Sequence, residues 1–252
     1  SSESSIAVII HSFYPDILIE ILNYLDQSVS NHLKLYITTP EDKYKETENI
    51  LKLRAFEYRI FIVGNRGRDI LPFLQVMPEV IQNKHDIVLK LHTKKSNHLN
   101  RKDEWRDYLF ESLIGQGRLQ NAIQIFKNNP SIGAIAPKGN ILSMRYNYGA
   151  NAERVRLLAH NLGASDTQLK DLNFIAGSMF YIKTAALLPL LSLNIKETDF
   201  ETEADQTDGT LAHVIERLFV LSAEIAGYEL ADTDFNPDLP YYTVSKIHYF
   251  TH

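Results

Sequence analysis

Over the first hundred residues, short apolar runs alternate with amphipathic stretches. Ile6-Ala-Val-Ile-Ile10, Leu33-Lys-Leu-Tyr-Ile37, Arg59-Ile-Phe-Ile-Val63 and Ile87-Val-Leu-Lys-Leu91 read as four strands. Between them, Ile17, Leu18, Ile21, Leu22 and Leu25 recur at helical spacing after Pro15-Asp16. Glu41 to Leu53 is charged and helix-like, and Asp69 to Ile81 is helical with Pro72 tolerated in its first turn. A β-α-β-α-β-α-β rhythm predicts an α/β fold: a mostly parallel, Rossmann-type sheet with helices on both faces.

The second half is more mixed. Asp103 to Ile114 and Leu119 to Asn128 read as helices, and Ile132-Gly-Ala-Ile-Ala-Pro137 as a strand of small residues. Arg145 to Gly163 is polar and helical in part. Phe174 to Ile182 reads as one strand, Ala185 to Leu191 as a short helix, and Glu197 to Gln206 as an acidic loop. Thr210 to Ala226 reads as one amphipathic helix ended by Gly227. The pattern supports one domain over residues 6–232, followed by a Pro- and aromatic-rich tail over 233–252. The apolar stretch from Phe174 to Ile195 is broken by Gly177-Ser178, Lys183 and Pro189, so a core strand and helix fit it better than a membrane span.

Composition removes several classes. The 252 residues are 44% hydrophobic, which excludes disorder, and contain no Cys, which excludes disulfide frameworks, thiolate zinc and cysteine nucleophiles. The net charge of −5 gives no field that would recruit nucleic acid. The opening Ser-Ser-Glu-Ser-Ser, without Met, reads as a domain of a longer polypeptide or a tag scar, and no export signal shows, which favours the cytoplasm.

The charge is segregated. Positions 90, 94, 95, 101, 102 and 106 are Lys or Arg, whereas 197–208 carries six acids and no base. In open α/β sheets ligands lie beyond the carboxyl ends of strands. There stand His11-Ser-Phe-Tyr-Pro-Asp16, Asn65-Arg-Gly-Arg-Asp69 and His92-Thr-Lys-Lys-Ser96, with Asp205-Gln-Thr-Asp-Gly-Thr210 opening a late helix that carries His213 and Arg217. A basic strand end suits a diphosphate leaving group, and a carboxylate at a helix start suits a general base. Each also has a bland reading. Gly67 turns the chain, Asp69 or Asp208 caps a helix, His92 is a core histidine, and Trp105 is a core anchor.

Taken in order, these strings resemble the rhamnan synthesis protein F family, found among bacterial enzymes that build rhamnose-rich and other surface polysaccharides. The carriers are His11 to Asp16, Asn65-Arg-Gly-Arg-Asp-Ile-Leu-Pro-Phe73, Lys90-Leu-His-Thr-Lys-Lys-Ser96 with Trp105, Ile132 to Pro137, Ala176-Gly-Ser-Met-Phe180 and Asp208-Gly-Thr-Leu-Ala-His-Val-Ile-Glu-Arg217. The resemblance implies a GT-A-like glycosyltransferase. Its donor would be a nucleotide-diphospho-sugar such as dTDP-rhamnose, and its acceptor a lipid-linked or polymeric glycan. Further glycosyltransferase domains in the same polypeptide, and a peripheral place at the inner face of the bacterial membrane, fit that role.

GT-A enzymes commonly place Asp-x-Asp, a Mg²⁺ or Mn²⁺ site, after the fourth strand. Here His92-Thr93-Lys94 stands instead, so metal-independent transfer is expected, with a metal at the acidic cluster 201–208 as the alternative. On the resemblance, Asp208 is the first choice for the base, followed by Asp205 and Glu203, and a single base favours inversion. His11 would lie beside the nucleobase. Asn65, Arg68 and Asp69 would hold nucleotide or sugar. Lys94, Lys95 and Arg217 would face the diphosphate, with His92 and His213 beside them, and Gly177 and Ser178 would edge the acceptor cleft. The missing Asp-x-Asp also motivates a second reading, a non-catalytic glycan- or nucleotide-binding module. A Rossmann oxidoreductase is disfavoured, because no Gly-x-Gly-x-x-Gly follows the first strand.

Overall fold

A computed structural model describes residues 5–27, 32–93, 101–206 and 208–246. Lys94 and Lys95 lie outside them. The four expected early strands are β1 (Ile6–His11), β2 (Leu33–Thr39), β3 (Glu57–Ile62) and β4 (Ile87–His92). They alternate with α1 (Pro15–Asp26), α2 (Tyr44–Lys52) and α3 (Ile70–Gln82). Then follow α4 (Arg101–Ile114), α5 (Arg118–Asn128), β5 (Ile132–Ala136), β6 (Ile141–Ser143), α6 (Ala152–Asn161) and α7 (Asp166–Lys170). The chain continues through β7 (Asn173–Ile175), β8 (Phe180–Lys183), α8 (Thr184–Leu191), α9 (Leu211–Glu216), α10 (Phe219–Ile225) and β9 (Glu229–Asp232).

Seven strands form one mostly parallel sheet in the order β3-β2-β1-β4-β8-β5-β9, and β6 and β7 form a small second sheet. Only β8 runs against its neighbours β4 and β5. The large sheet is therefore α/β, with helices on both faces as the sequence rhythm predicts. Alternation along the strands sorts side chains into two cores. Ile6, Val8, Ile10, Leu35, Leu89 and Tyr181 meet α1, α4 and α5, whereas Ala7, Ile9, Tyr36, Val88, Phe180 and Ile182 meet α3, α8, α9 and α10. Among the described residues no helix is long and apolar enough to cross a membrane.

Two expected elements are divided. Phe174 to Ile182 is not one strand: β7 and β8 belong to different sheets. The break lies at Gly177 (φ +89°) and Ser178 (φ +59°), whose left-handed backbone cannot continue a strand. Thr210 to Ala226 is not one helix. The Arg217 guanidinium donates to the His213 carbonyl at 2.8 Å, and the Arg217 backbone N–H turns instead to the Val214 carbonyl at 3.1 Å, which ends α9.

Reversal of β8 has a topological result. β5 ends, and β8 begins, at the same carboxyl edge of the sheet, so residues 137–179 leave and return there, carrying β6, α6, α7 and β7. Residues 233–246 pack back. Tyr241 offers its carbonyl to Asp232 N–H at 3.0 Å, the Phe235 and Tyr241 rings meet at 4.9 Å, and Ser245 pairs beside Leu142 of β6.

Candidate functional site

Strand register places His11 opposite both Thr38 and His92 at the carboxyl ends of β1, β2 and β4. The pleat points His11, Lys90 and His92 to the α3 face, like Ala7, Ile9 and Val88 below them. His11 Nδ1 shares a hydrogen with Thr38 Oγ1 at 2.9 Å. Burial pulls the His11 pKa down to about 4, with His92 and Lys90 adding to the effect against Asp69, so the ring is neutral at physiological pH.

Lys90 is the polar centre of this cluster and is only 1% exposed. Its ammonium donates to Asp69 Oδ2, to the Ser178 carbonyl at 2.8 Å and to Ser178 Oγ at 2.8 Å. Ser178 Oγ in turn donates to Asp69 Oδ2 at 2.9 Å. Burial would raise the Asp69 carboxyl, but the charges of Lys90 and His92 and the Lys90 hydrogen bond outweigh it and hold Asp69 well below the usual carboxylate range. Asp69 does occupy the N-cap position of α3, yet its side chain makes no capping bond; the carboxylate is committed to Lys90 and Ser178. His92 Nε2 lies 2.8 Å from the Gly177 carbonyl, an obligate acceptor, so that nitrogen carries the proton. A Cβ on Gly177 would come within 2.9 Å of the Trp105 ring, whose Nε1 donates to Asn140 Oδ1.

The loop after β3 is tied to the acidic loop. Arg68 donates to the Gln206 carbonyl and lies 3.7 Å from Glu203, and Arg66 bridges to Thr202. Gly67 has φ +70°, and an added Cβ would collide with Leu71 Cβ at 2.3 Å and meet Phe200 at 3.0 Å. Gly67 thus turns the chain, as expected, and its missing Cβ also lets Phe200 pack close. Asn65 is exposed, and Asp205 is exposed with φ +56°.

Asp208 forms a third focus. Its Oδ2 accepts from Ala150 N–H at 3.0 Å and its Oδ1 from Asn151 Nδ2 at 2.6 Å. Burial raises the Asp208 carboxyl, but these donors, the Gly209 N–H and the Arg217 charge hold it below the ordinary range. The cap of α9 is Thr210, not Asp208: Thr210 Oγ1 meets His213 Nδ1 at 2.6 Å, which commits that ring nitrogen to the cap. Arg217 donates to the Asn147 and His213 carbonyls at 3.0 and 2.8 Å and covers the Phe174 ring.

The structure thus joins His11, Asp69, His92, Gly177 and Ser178 at one edge, and Asp208, His213 and Arg217 around the 147–151 turn. Arg68 and Glu203 tie the loop that leads to Asp69 to the acidic loop that leads to Asp208. Lys90, Asn151 and Thr38 are the members sequence reasoning did not assign. Lys90 carried a signal: a lone Lys inside Ile87-Val-Leu-Lys-Leu91, where a buried charge must find a partner. Among the described residues no three His, Asp or Glu side chains are placed to hold a metal ion. Glu201 is engaged with Arg154 and the Leu211 N–H, Glu203 with Arg68, and Asp208 with the 150–151 turn. Among the described residues, Glu201, Glu203 and Asp208 are thus engaged separately and do not converge on the divalent ion considered for this loop.

A family profile described as Rhamnan synthesis protein F matches residues 1–228. Uncharacterized protein WxcX of Xanthomonas campestris pv. campestris is 34% identical over 230 residues, in strain B100 and in strain ATCC 33913 alike. The alignments cover 91% of this chain, which spans about a third (33%) of the length of those relatives. Among solved structures, 4-diphosphocytidyl-2C-methyl-D-erythritolsynthase from Anaerococcus prevotii DSM 20548 aligns with a TM-score of 0.46 and 9% identity, covering 91% of this chain and 87% of that one.

Proposed function

The chain belongs to the rhamnan synthesis protein F family, and from that premise we propose that it is a GT-A-like glycosyltransferase of surface-polysaccharide synthesis. The donor is a nucleotide-diphospho-sugar, with dTDP-rhamnose the first candidate, and the acceptor is a glycan hydroxyl. The family match over residues 1–228 carries this reading. The carboxyl-edge cluster supplies its site.

In this reading His11 borders the nucleobase as a neutral ring. Asn65, Arg68 and Asp69 line the donor side, and Gly177 and Ser178 the acceptor side. The acceptor oxygen attacks the anomeric carbon as the bond from that carbon to the diphosphate oxygen breaks. The nucleoside diphosphate leaves with the electron pair, and the acceptor proton passes to a carboxylate. One displacement inverts the anomeric centre. Arg217, with His92 and His213, would face the leaving diphosphate, and Lys94 and Lys95, outside the described residues, are assigned the same role of offsetting its charge in place of a metal. Asp208 is the first candidate for the base, ahead of Asp205 and Glu203. It is ionised at neutral pH, and its hydrogen bonds fix its direction while leaving lone pairs to accept a proton.

The test is transfer from dTDP-rhamnose with three proteins. Asp208→Asn should lose about a hundredfold or more in turnover, the usual share of a general base. Asn151→Ala, which loosens the same turn but keeps the carboxylate, should retain measurable transfer. Wild-type turnover in Asp208→Asn sinks the base assignment. Activity that EDTA abolishes and Mn²⁺ restores sinks the metal-independent part. Binding without transfer or donor hydrolysis would favour the non-catalytic module.

A further inference from the structure

Two left-handed dipeptides face each other across the candidate site: Gly67–Arg68 (φ +70° and +53°) and Gly177–Ser178 (φ +89° and +59°). Arg68 and Ser178 bear side chains, so each holds a conformation that L-residues seldom adopt and that the surroundings must enforce. Both segments end on the same buried cation. Asp69, which follows the first pair, receives the Lys90 ammonium, and Ser178 offers it both its carbonyl and its hydroxyl at 2.8 Å. The Ser178 hydroxyl closes the triangle on Asp69. Lys90 is 1% exposed and so closed off from solvent; it lies between the Phe73 and Phe180 rings, at 5.5 and 6.0 Å from their centroids.

We propose that Lys90 is a positioning residue that sets the donor-side turn at 67–69 and the acceptor-side turn at 177–178 at a fixed separation. A hydrophobic residue would fill the same space among Phe73 and Phe180, but only an ammonium with three donors can serve a carboxylate, a carbonyl and a hydroxyl from two separate segments at once. A buried ion pair adds little net stability over well-packed apolar groups, so its yield is geometric order. The inference deepens the glycosyltransferase reading and rests on it for the meaning of the two sides.

The experiment compares Lys90→Met with wild type by hydrogen exchange and by dTDP-rhamnose affinity. Amides of 64–71 and 174–180 should exchange about tenfold faster or more, with β1 and β2 unchanged, and affinity should fall by about ten- to a hundredfold, the scale of a small misplacement. Lys90→Cys provides the rescue, because the chain has no other thiol. Alkylation with 2-bromoethylamine in denaturant, then refolding, restores an ammonium at lysine length and should return both readouts to wild type. If Lys90→Met does not fold, the pair Asp69→Asn with Lys90→Met, which buries no lone charge, should fold and still show fast exchange at both turns. Wild-type exchange at either turn in a folded variant, or no recovery in the refolded alkylated protein, overturns the proposal. A wild-type protein that binds no nucleotide sugar would instead overturn the glycosyltransferase reading, and the exchange pattern would still judge Lys90.

Discussion

Replacing Asp208 by Asn keeps size and shape and changes only charge and hydrogen-bond polarity. The carboxylate receives Ala150 N–H on one oxygen and Asn151 Nδ2 on the other. Whichever way an amide is turned, its NH2 meets one of these donors. Asn151 cannot compensate by flipping, because its Oδ1 accepts from Gly209 N–H at 3.2 Å and its Nδ2 also serves the Tyr148 carbonyl at 2.9 Å. Gly149 already sits where a Cβ would lie 2.2 Å from Asp208 Oδ2, so the turn is closed tightly on the carboxylate. Loss of one hydrogen bond to a charged group costs about 1.5–3 kcal/mol. In a chain of this length each kcal/mol moves the melting midpoint by about 2–4 °C, so Asp208→Asn should melt about 3–12 °C lower at pH 7. The pH dependence gives the sign. The folded carboxyl titrates below its unfolded value of about 3.9, so its contribution is complete above that value and is lost as pH falls through the folded one. Melts followed by circular dichroism should therefore show the gap between wild type and variant closing as the pH falls below 4. An unchanged midpoint at pH 7, or a gap that persists at acid pH, would refute the clamp.

Two further outcomes are expected. His11 titrates at about 4 in the folded chain and at 6.5 in the reference state, so between these values the unfolded chain binds the extra proton and stability falls as the solution is acidified; urea melts from pH 7 to pH 4.5 should show a shallower decline in His11→Asn, and an identical slope counts against a neutral buried ring. Gly67→Ala meets Leu71 and Phe200 and a left-handed backbone together, which costs about 2–5 kcal/mol from strain plus overpacking; a variant as stable as wild type in urea would show that the turn relaxes.

The early sheet was legible because each strand is a compact apolar run bounded by punctuation, and its buried residues alternate in step with the two cores. The divided elements were not. In Phe174 to Ile182 the Gly177-Ser178 break is only two residues long, and the backbone dihedrals there turn it into a corner between two sheets. Thr210 to Ala226 keeps helical spacing through Arg217, and the break lies where the Arg217 guanidinium takes the His213 carbonyl and its backbone N–H takes Val214, a local rearrangement no periodicity encodes. At the site, strand-end position drew attention to His11, Asp69 and His92. Partnership was not readable: Asp69 and Lys90 are separated by 21 positions, and Lys90 and Ser178, separated by 88, meet where β8 lies beside β4.

The excursion from 137 to 179 departs from and rejoins a single sheet edge, so it shares the core with the large sheet without entering its strand order. Exchanging it between relatives would leave every strand pairing of the large sheet in place. Its attachments would have to travel with it: Asn140 for Trp105, Asn147 for Arg217, Ala150 and Asn151 for Asp208, Gly177 for His92 and Ser178 for Lys90. A lineage could thereby vary what stands at Gly177 and Ser178 while the strands that carry His11 and Lys90 stay under their own separate constraints.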